Sequence, residues 1–122
     1  MSDKAAPWPT EIRLSRDRRS LSVSFDDGVA HALPAEYLRV LSPSAEVQGH
    51  SPEQRTTVPG KQDVAITAVD PVGNYAVRLT FDDGHNTGLF TWSYLRKLGD
   101  EHEKLWGEYL RELTAKGFSR AG

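Results

Sequence analysis

The chain has 122 residues, of which 15 are basic and 17 acidic, giving a formal net charge of −2, and it contains no cysteine. Disulfides, iron–sulfur ligation, zinc–thiolate sites and cysteine nucleophiles are thereby excluded. The length suits one domain, no stretch of about 18 apolar residues is present to span a membrane, and no basic face of the kind nucleic acid requires is evident.

The opening Met-Ser-Asp-Lys-Ala-Ala-Pro-Trp-Pro-Thr lacks the apolar run of a signal sequence. Residues 1–9 are read as a flexible N-terminus, and the expected location is the cytoplasm. A first strand is expected over Thr10–Ser15. Leu21, Val23 and Phe25 then alternate with serines, the period of a half-buried strand. Asp27-Gly28 supplies the positive φ of a tight turn, and a third strand follows over Val29–Leu33. The densest basic cluster, Arg13, Arg16, Arg18 and Arg19, is read as a solvated hairpin turn. Pro34 suits the first turn of a helix running to Leu41.

Residues 42–62 hold three prolines and two glycines and read as a long loop, a feature that is usually functional or disordered. Beyond it come a strand over Asp63–Asp70, a strong turn signal at Asp70-Pro71-Val72-Gly73-Asn74, and the alternation Tyr75, Val77, Leu79, Phe81. A third strand is expected near Asn86–Phe90. Thr91 is the expected N-cap of a helix through Leu98, ended by Gly99. Asp100 and Glu103 are placed to form a capping box for a last, amphipathic helix. Its apolar face is Leu105, Trp106, Tyr109, Leu110 and Leu113, with Glu112 and Lys116 as an i,i+4 pair and Gly117 as C-cap. The domain is expected over residues 10–117, with 118–122 as a tail.

The chain repeats itself. Phe25-Asp26-Asp27-Gly28 returns as Phe81-Asp82-Asp83-Gly84, and Tyr37-Leu38-Arg39 returns as Tyr94-Leu95-Arg96, at offsets of 56 and 57 residues. The expected fold is therefore α+β: two β-β-β-α repeats, each an antiparallel meander and a helix, plus the C-terminal helix.

Leu38-Arg39, Asp83-Gly84-His85 and Trp92-Ser93-Tyr94-Leu95-Arg96 together resemble the γ-butyrobetaine-hydroxylase-like N-terminal domain family, over roughly Trp8 to Leu98. The resemblance implies a stand-alone bacterial member of unknown function. Related domains precede the carnitine-pathway dioxygenases, and in some plastid proteins a similar domain follows a P-loop ATPase that acts as an iron–sulfur scaffold. In the dioxygenases the domain holds a structural zinc through three cysteines and a histidine. The positions matching those ligands here are Ser42, Ser44, Val47 and His85, so three of the four are missing.

The carboxylate pairs Asp26/Asp27 and Asp82/Asp83 read as turn chemistry. No phosphate-binding loop and no nucleophile elbow occurs, and no catalytic residue is assigned. The four histidines are His31, His50, His85 and His102, and none is paired at a metal-ligand spacing. His85 is the best placed, with His50 and Asp83 as weak co-ligands. The preferred role for His85 is to hydrogen-bond and pin the segment Ser42–Val47. His102 is expected to be exposed. Trp92, Tyr94 and Arg96 are candidate partner-binding residues, because aromatics and arginine anchor interfaces. The expected function is a non-catalytic binding or adaptor domain with an unknown protein partner and no cofactor, linked to iron–sulfur or iron-enzyme maturation. The alternative is a small iron- or zinc-binding protein that uses His85.

Overall fold

A computed structural model of the chain describes residues 7–49 and 55–121. The first half consists of strands β1 (Pro9–Leu14), β2 (Ser20–Phe25) and β3 (Ala30–Pro34), then helix α1 (Ala35–Val40) and the single turn α2 (Ala45–Gln48). The second half runs β4 (Ile66–Val72), β5 (Ala76–Phe81), β6 (Leu89–Thr91), α3 (Trp92–Asp100) and α4 (His102–Lys116). Each half holds one antiparallel three-stranded sheet, in the orders β1-β2-β3 and β4-β5-β6. The α+β repeat architecture anticipated from the sequence is the one observed.

The two halves share small irregularities as well as element order. Phe25 and Phe81 both end a central strand and are both buried. The pairing of the first strand slips by one residue at Thr10 in β1 and at Thr67 in β4. At both slips the threonine hydroxyl donates to a central-strand carbonyl, that of Ser24 or Thr80, at 3.2 Å. Both Asp-Asp-Gly turns close in the same way, with Gly28 at φ +87° and Gly84 at φ +92°. A side chain is rarely tolerated there, which is why glycine stands at both.

The core is shared between the halves. Leu21, Val23, Leu33, Ile66, Leu79 and Phe90 have no solvent exposure, and they form one cluster with residues of α1, α3 and α4. The repeated tyrosines cross between halves. Tyr37 Oη donates to the Leu98 carbonyl at 2.6 Å, and Tyr94 Oη donates to the Leu41 carbonyl at 2.5 Å. Both contacts satisfy a carbonyl at the end of the opposite half's helix, where intrahelical partners run out. Burial raises the pKa of both phenols, so they remain donors.

Several boundaries differ from expectation. Gly99 does not end its helix but lies inside α3, which runs to Asp100. Asp100 does not cap α4. The N-cap is Glu101, without a side-chain bond, because the Asp100 carboxylate is held by Arg96 and His31. Thr91 does cap α3, accepting Tyr94 N–H at 3.1 Å, and Gly117 ends α4 at φ +69°. Glu112 and Lys116 do not pair with each other. Glu112 takes Arg55 and Thr57, and Lys116 donates to Thr57. Of the α4 face, Tyr109 and Leu113 are buried, Leu105 and Trp106 are half-buried and Leu110 is exposed. His102 is not free in solvent but stacks on Tyr37 with ring centroids 4.3 Å apart.

The described parts of the long connection are tied to the rest of the chain. Beyond α2, Tyr109 Oη donates to the Val58 carbonyl at 2.6 Å, which ties the segment to α4. Residues 118–121 turn back onto the body. Gly60 N–H donates to the Ser119 carbonyl, Gln62 N–H donates to the Arg120 carbonyl, and Arg120 forms a bidentate pair with Glu36. Nor is Arg18 a purely solvated turn residue. It adopts φ +63°, its carbonyl accepts Ile66 N–H, and its guanidinium reaches the Thr67 carbonyl at 3.2 Å.

Two glycines mark where the halves meet most closely. A Cβ on Gly99 would stand 2.1 Å from the His31 ring, and one on Gly88 would stand 2.3 Å from Ser42 Oγ. Gly88 and Gly99 follow His31 and Ser42 by 57 residues, so the same crossing occurs twice with the glycine on opposite partners. Ala for Gly in a helix normally stabilises by about 0.5–1 kcal/mol. At Gly99 the clash reverses the sign. Gly99→Ala is expected to destabilise by about 1–3 kcal/mol in urea unfolding, and His31→Gly in the same chain is expected to recover most of that loss.

Candidate functional site

The sharpest polar feature is a reciprocal arginine–aspartate exchange between the halves. In the second Asp-Asp-Gly turn, Asp83 Oδ1 accepts His85 N–H at 3.0 Å. Its Oδ2 accepts Arg39 Nε of α1 at 2.8 Å and Lys61 Nζ at 2.6 Å. In the first turn, Asp27 Oδ1 accepts Val29 N–H at 3.2 Å, and Arg96 Nη1 of α3 lies 2.9 Å from Asp27 Oδ2. Arg96 Nε also bonds both Asp100 oxygens, at 3.1 and 3.0 Å, and its guanidinium lies over the Phe25 ring. Burial alone would push the Asp83 carboxyl up. Lys61, the His85 N–H and Arg39 outweigh it and hold the carboxyl well below the usual range.

Beside Asp83, His85 is 8% exposed and fully engaged. Its Nε2 is 2.9 Å from Ser42 Oγ, and its Nδ1 is 3.3 Å from Glu46 Oε1. Ser44 N–H donates to Ser42 Oγ at 3.3 Å, so the hydroxyl proton of Ser42 is directed to Nε2 and the imidazole N–H to the Glu46 carboxylate. Burial lowers the His85 pKa, the Arg39 charge lowers it further, and Glu46 and Asp83 oppose. The neutral ring is favoured. His85 thus does pin the segment Ser42–Val47.

The serine–histidine–carboxylate order is that of an acyl-transfer triad, but the access is wrong. Ser42 is completely buried, and Gly88 packs against its Oγ closely enough to exclude even a methyl group. A structural zinc does not fit here either. Protonated hydroxyls at Ser42 and Ser44 and a valine at 47 replace three thiolates, and four-coordinate structural sites need thiolate or imidazole. Among the described residues, no group of three or more histidine and carboxylate side chains is placed to hold a metal. Ser44 Oγ is left as a buried hydroxyl without a hydrogen-bond partner.

The sequence candidates separate accordingly. His85 and Asp83 are adjacent, and both are saturated by neighbours. His50 lies outside the described residues. Tyr94 and Arg96 are turned into contacts with the opposite half. Trp92 remains half-buried, with Nε1 donating to the Asn74 carbonyl at 2.9 Å. Glu46 and Lys61 were not singled out from the sequence, since nothing in their spacing marks them.

Trp92 also borders a feature that no motif announced. An open groove of about 680 Å³ runs between the first strands of the two sheets. Ile12 and Leu14 of β1 and Ala68 and Val69 of β4 line it, and Val77 and Trp92 complete its apolar surface. Glu11 is the charged residue in its lining. Trp8 and Tyr75, adjacent in sequence to the sheet strands, are about half exposed.

The family model described as gamma-butyrobetaine hydroxylase-like, N-terminal, matches residues 12–96. The chain belongs to that family. Two solution structures determined by NMR are similar to it over nearly the whole chain. One is 44% identical with a TM-score of 0.81, over 95% of this chain and 91% of the other. The second is 46% identical with a TM-score of 0.81, over 98% and 90%. A crystal structure of a protein of unknown function of the DUF971 family from Acidithiobacillus ferrooxidans is 45% identical, with a TM-score of 0.63 over 75% of this chain and 91% of that one. No curated protein matches the chain.

The site sets the acid sensitivity of this family member. The Asp83 pKa lies below its ordinary 3.8 in the fold, so its stabilisation is complete above that pH and is lost as pH falls through the folded value. The His85 and His102 pKa values lie below their ordinary 6.5, mainly through burial. Their neutral forms stabilise the fold above about 6.5, and that contribution is also lost on acidification. Thermal melts are expected to be flat between about pH 7 and 9 and to fall in two stages on acidification, below about 6.5 and again below about 3.8. His85→Gln is expected to shrink the upper stage. Arg39→Ala is expected to cost about 1.5–3 kcal/mol at neutral pH, because it removes a charged hydrogen bond.

Proposed function

We propose that this chain is a non-catalytic protein-binding or adaptor module. The observation that carries this reading is the apolar groove between β1 and β4, bordered by Trp92. The polar centres support it from the other side. Asp83, Arg39, Arg96, Asp27 and His85 are spent on contacts within the chain, whereas the groove residues are not drawn into such a polar network. Apolar grooves with few charges are the surfaces on which proteins dock partners and ligands.

The partner belongs, on this reading, to iron–sulfur or iron-enzyme maturation, because domains that resemble this one accompany iron dioxygenases and an iron–sulfur scaffold ATPase. A cytoplasmic location is part of the same proposal. Among the described residues no helix is long and apolar enough to cross a membrane. The metal-binding alternative through His85 is weaker. Both ring nitrogens of His85 already face partners, and Asp83 is neutralised by two cations.

Crosslinking of the untagged protein in its native lysate, followed by mass spectrometry, tests the proposal. One protein is expected to crosslink to residues around the groove, and Val69→Glu is expected to abolish it in protein that keeps the native circular-dichroism spectrum. Crosslinks confined to the α4 face would overturn the groove as the docking surface. Metal analysis of the same preparation checks the alternative. Stoichiometric iron or zinc, lost in chelator together with several degrees of melting temperature, would favour it.

A further inference from the structure

Both long walls of the groove are strand edges. β1 and β4 are each the outermost strand of their sheet. Among the described residues, the only hydrogen bonds that reach their outer edges come from Arg18, whose carbonyl takes Ile66 N–H and whose guanidinium takes the Thr67 carbonyl. Among the described residues, the remaining outward N–H and C=O groups have no hydrogen-bond partner. A lipid or small apolar ligand would fill the groove and leave those groups without partners, whereas an extended peptide satisfies them.

The two edges are not equal. β4 carries Pro71, which has no N–H to donate, and Arg18 already covers the Thr67 carbonyl. Proline is a device that blunts an edge. On β1 the proline stands at the first position, Pro9, and no proline interrupts Thr10–Leu14, so the outward member of each alternate pair keeps an N–H to offer. β1 also carries a recognisable pattern. Ile12 and Leu14 are half-buried toward the core, and Glu11 and Arg13 are exposed and paired to each other on the opposite face. Directly opposite residues of a neighbouring strand meet in pairs, and opposite charges there are favourable while like charges are not. A strand laid on β1 therefore needs apolar residues at alternate positions, a base opposite Glu11 and an acid opposite Arg13.

Building on the binding-module reading, we infer that β1 accepts an extended segment of a partner protein as an added strand. The segment lies in the groove with alternating apolar side chains against Ile12, Leu14 and Val69, and with a charge order complementary to Glu11 and Arg13.

The test uses the full chain, isotopically labelled, and three synthetic peptides. The matched peptide, complementary when it runs antiparallel to β1, is Thr-Val-Glu-Val-Lys-Val-Thr. The second exchanges its Glu and Lys, and the third is the matched sequence with alternate backbone nitrogens methylated. The matched peptide is expected to shift the amides of residues 10–14 and to slow their hydrogen exchange. It should bind at least about fivefold more tightly than the exchanged peptide, from two cross-strand charge pairs. Backbone methylation is expected to weaken it by about tenfold or more. In Glu11→Lys/Arg13→Glu, whose two positions are exposed, the order of the first two peptides should reverse. Equal affinity for the methylated peptide would overturn strand addition while leaving the groove as a binding surface. Failure of the double variant to change the order would overturn the charge rule and with it β1 as the acceptor. Concentration-dependent shifts of residues 10–14 without any peptide would show that a second copy takes the edge, and would also overturn the inference. Absence of shifts in the groove residues with all three peptides would overturn it together with the groove.

Discussion

Arg39 reaches from the first half to Asp83 in the second, and Arg96 reaches from the second half to Asp27 in the first. Each aspartate also holds its own turn through the N–H two residues on. One carboxylate thus fixes both the local hairpin and the docking of the other half's helix. These side chains are largely screened from solvent on the Arg39–Asp83 side, with exposures of 12% and 20%. There the removal of one partner leaves a charge poorly solvated, and the cost exceeds that of a surface pair. Tyr37 and Tyr94 repeat the exchange with neutral donors. A fold tied in this way does not separate into independently packed halves, and its hydrophobic core is accordingly one cluster.

The exchange is doubled, but the surroundings are not. Near Asp27 the second layer is ionic and open, with Asp100 held between Arg96 and His31. Near Asp83 it is buried and mostly neutral, with Ser42, His85 and the orphaned Ser44 hydroxyl. The positions that resemble the zinc ligands of the dioxygenase domains all fall on this second side. A serine–histidine hydrogen bond occupies this side, and Lys61 supplies a positive charge to Asp83 a short distance away. Duplicated architecture preserves the backbone and the crossing contacts because they carry the core. The residues around each crossing are free to diverge, provided that one partner at each close approach stays a glycine.

The proposed docking role rests on what the crossings leave over. Once the arginines, aspartates, tyrosines and His85 are committed to holding the halves together, the surface between β1 and β4 is where apolar area and free backbone groups coincide. This surface is also a consequence of the doubling. Both halves begin with a strand that has a neighbour on one side only, and packing the halves around a common core brings those two strands to the walls of one groove.

The sequence by itself determined the repeat, and with it most of the architecture. Strand alternation at Leu21–Phe25 and Tyr75–Phe81, two Asp-Asp-Gly turns and two Tyr-Leu-Arg helices are local signals, written in periods of two and in residues that tolerate positive φ. His85 as the pin of residues 42–47 was also legible, because the resemblance matched it with Ser42 and Ser44. Other features depended on neighbours distant in the chain. Gly99 stays inside α3 because the His31 ring, from another sheet, needs its missing side chain. Asp100 leaves the capping position because Arg96 and His31 hold it. Tyr94 and Arg96 face inward because Leu41 and Asp27 lie across the interface. Glu46, Lys61 and the groove itself had no local signal at all. Periodicity and turn chemistry are properties of a few consecutive residues, whereas the partner of a charge and the exposure of an edge exist only after the halves have packed.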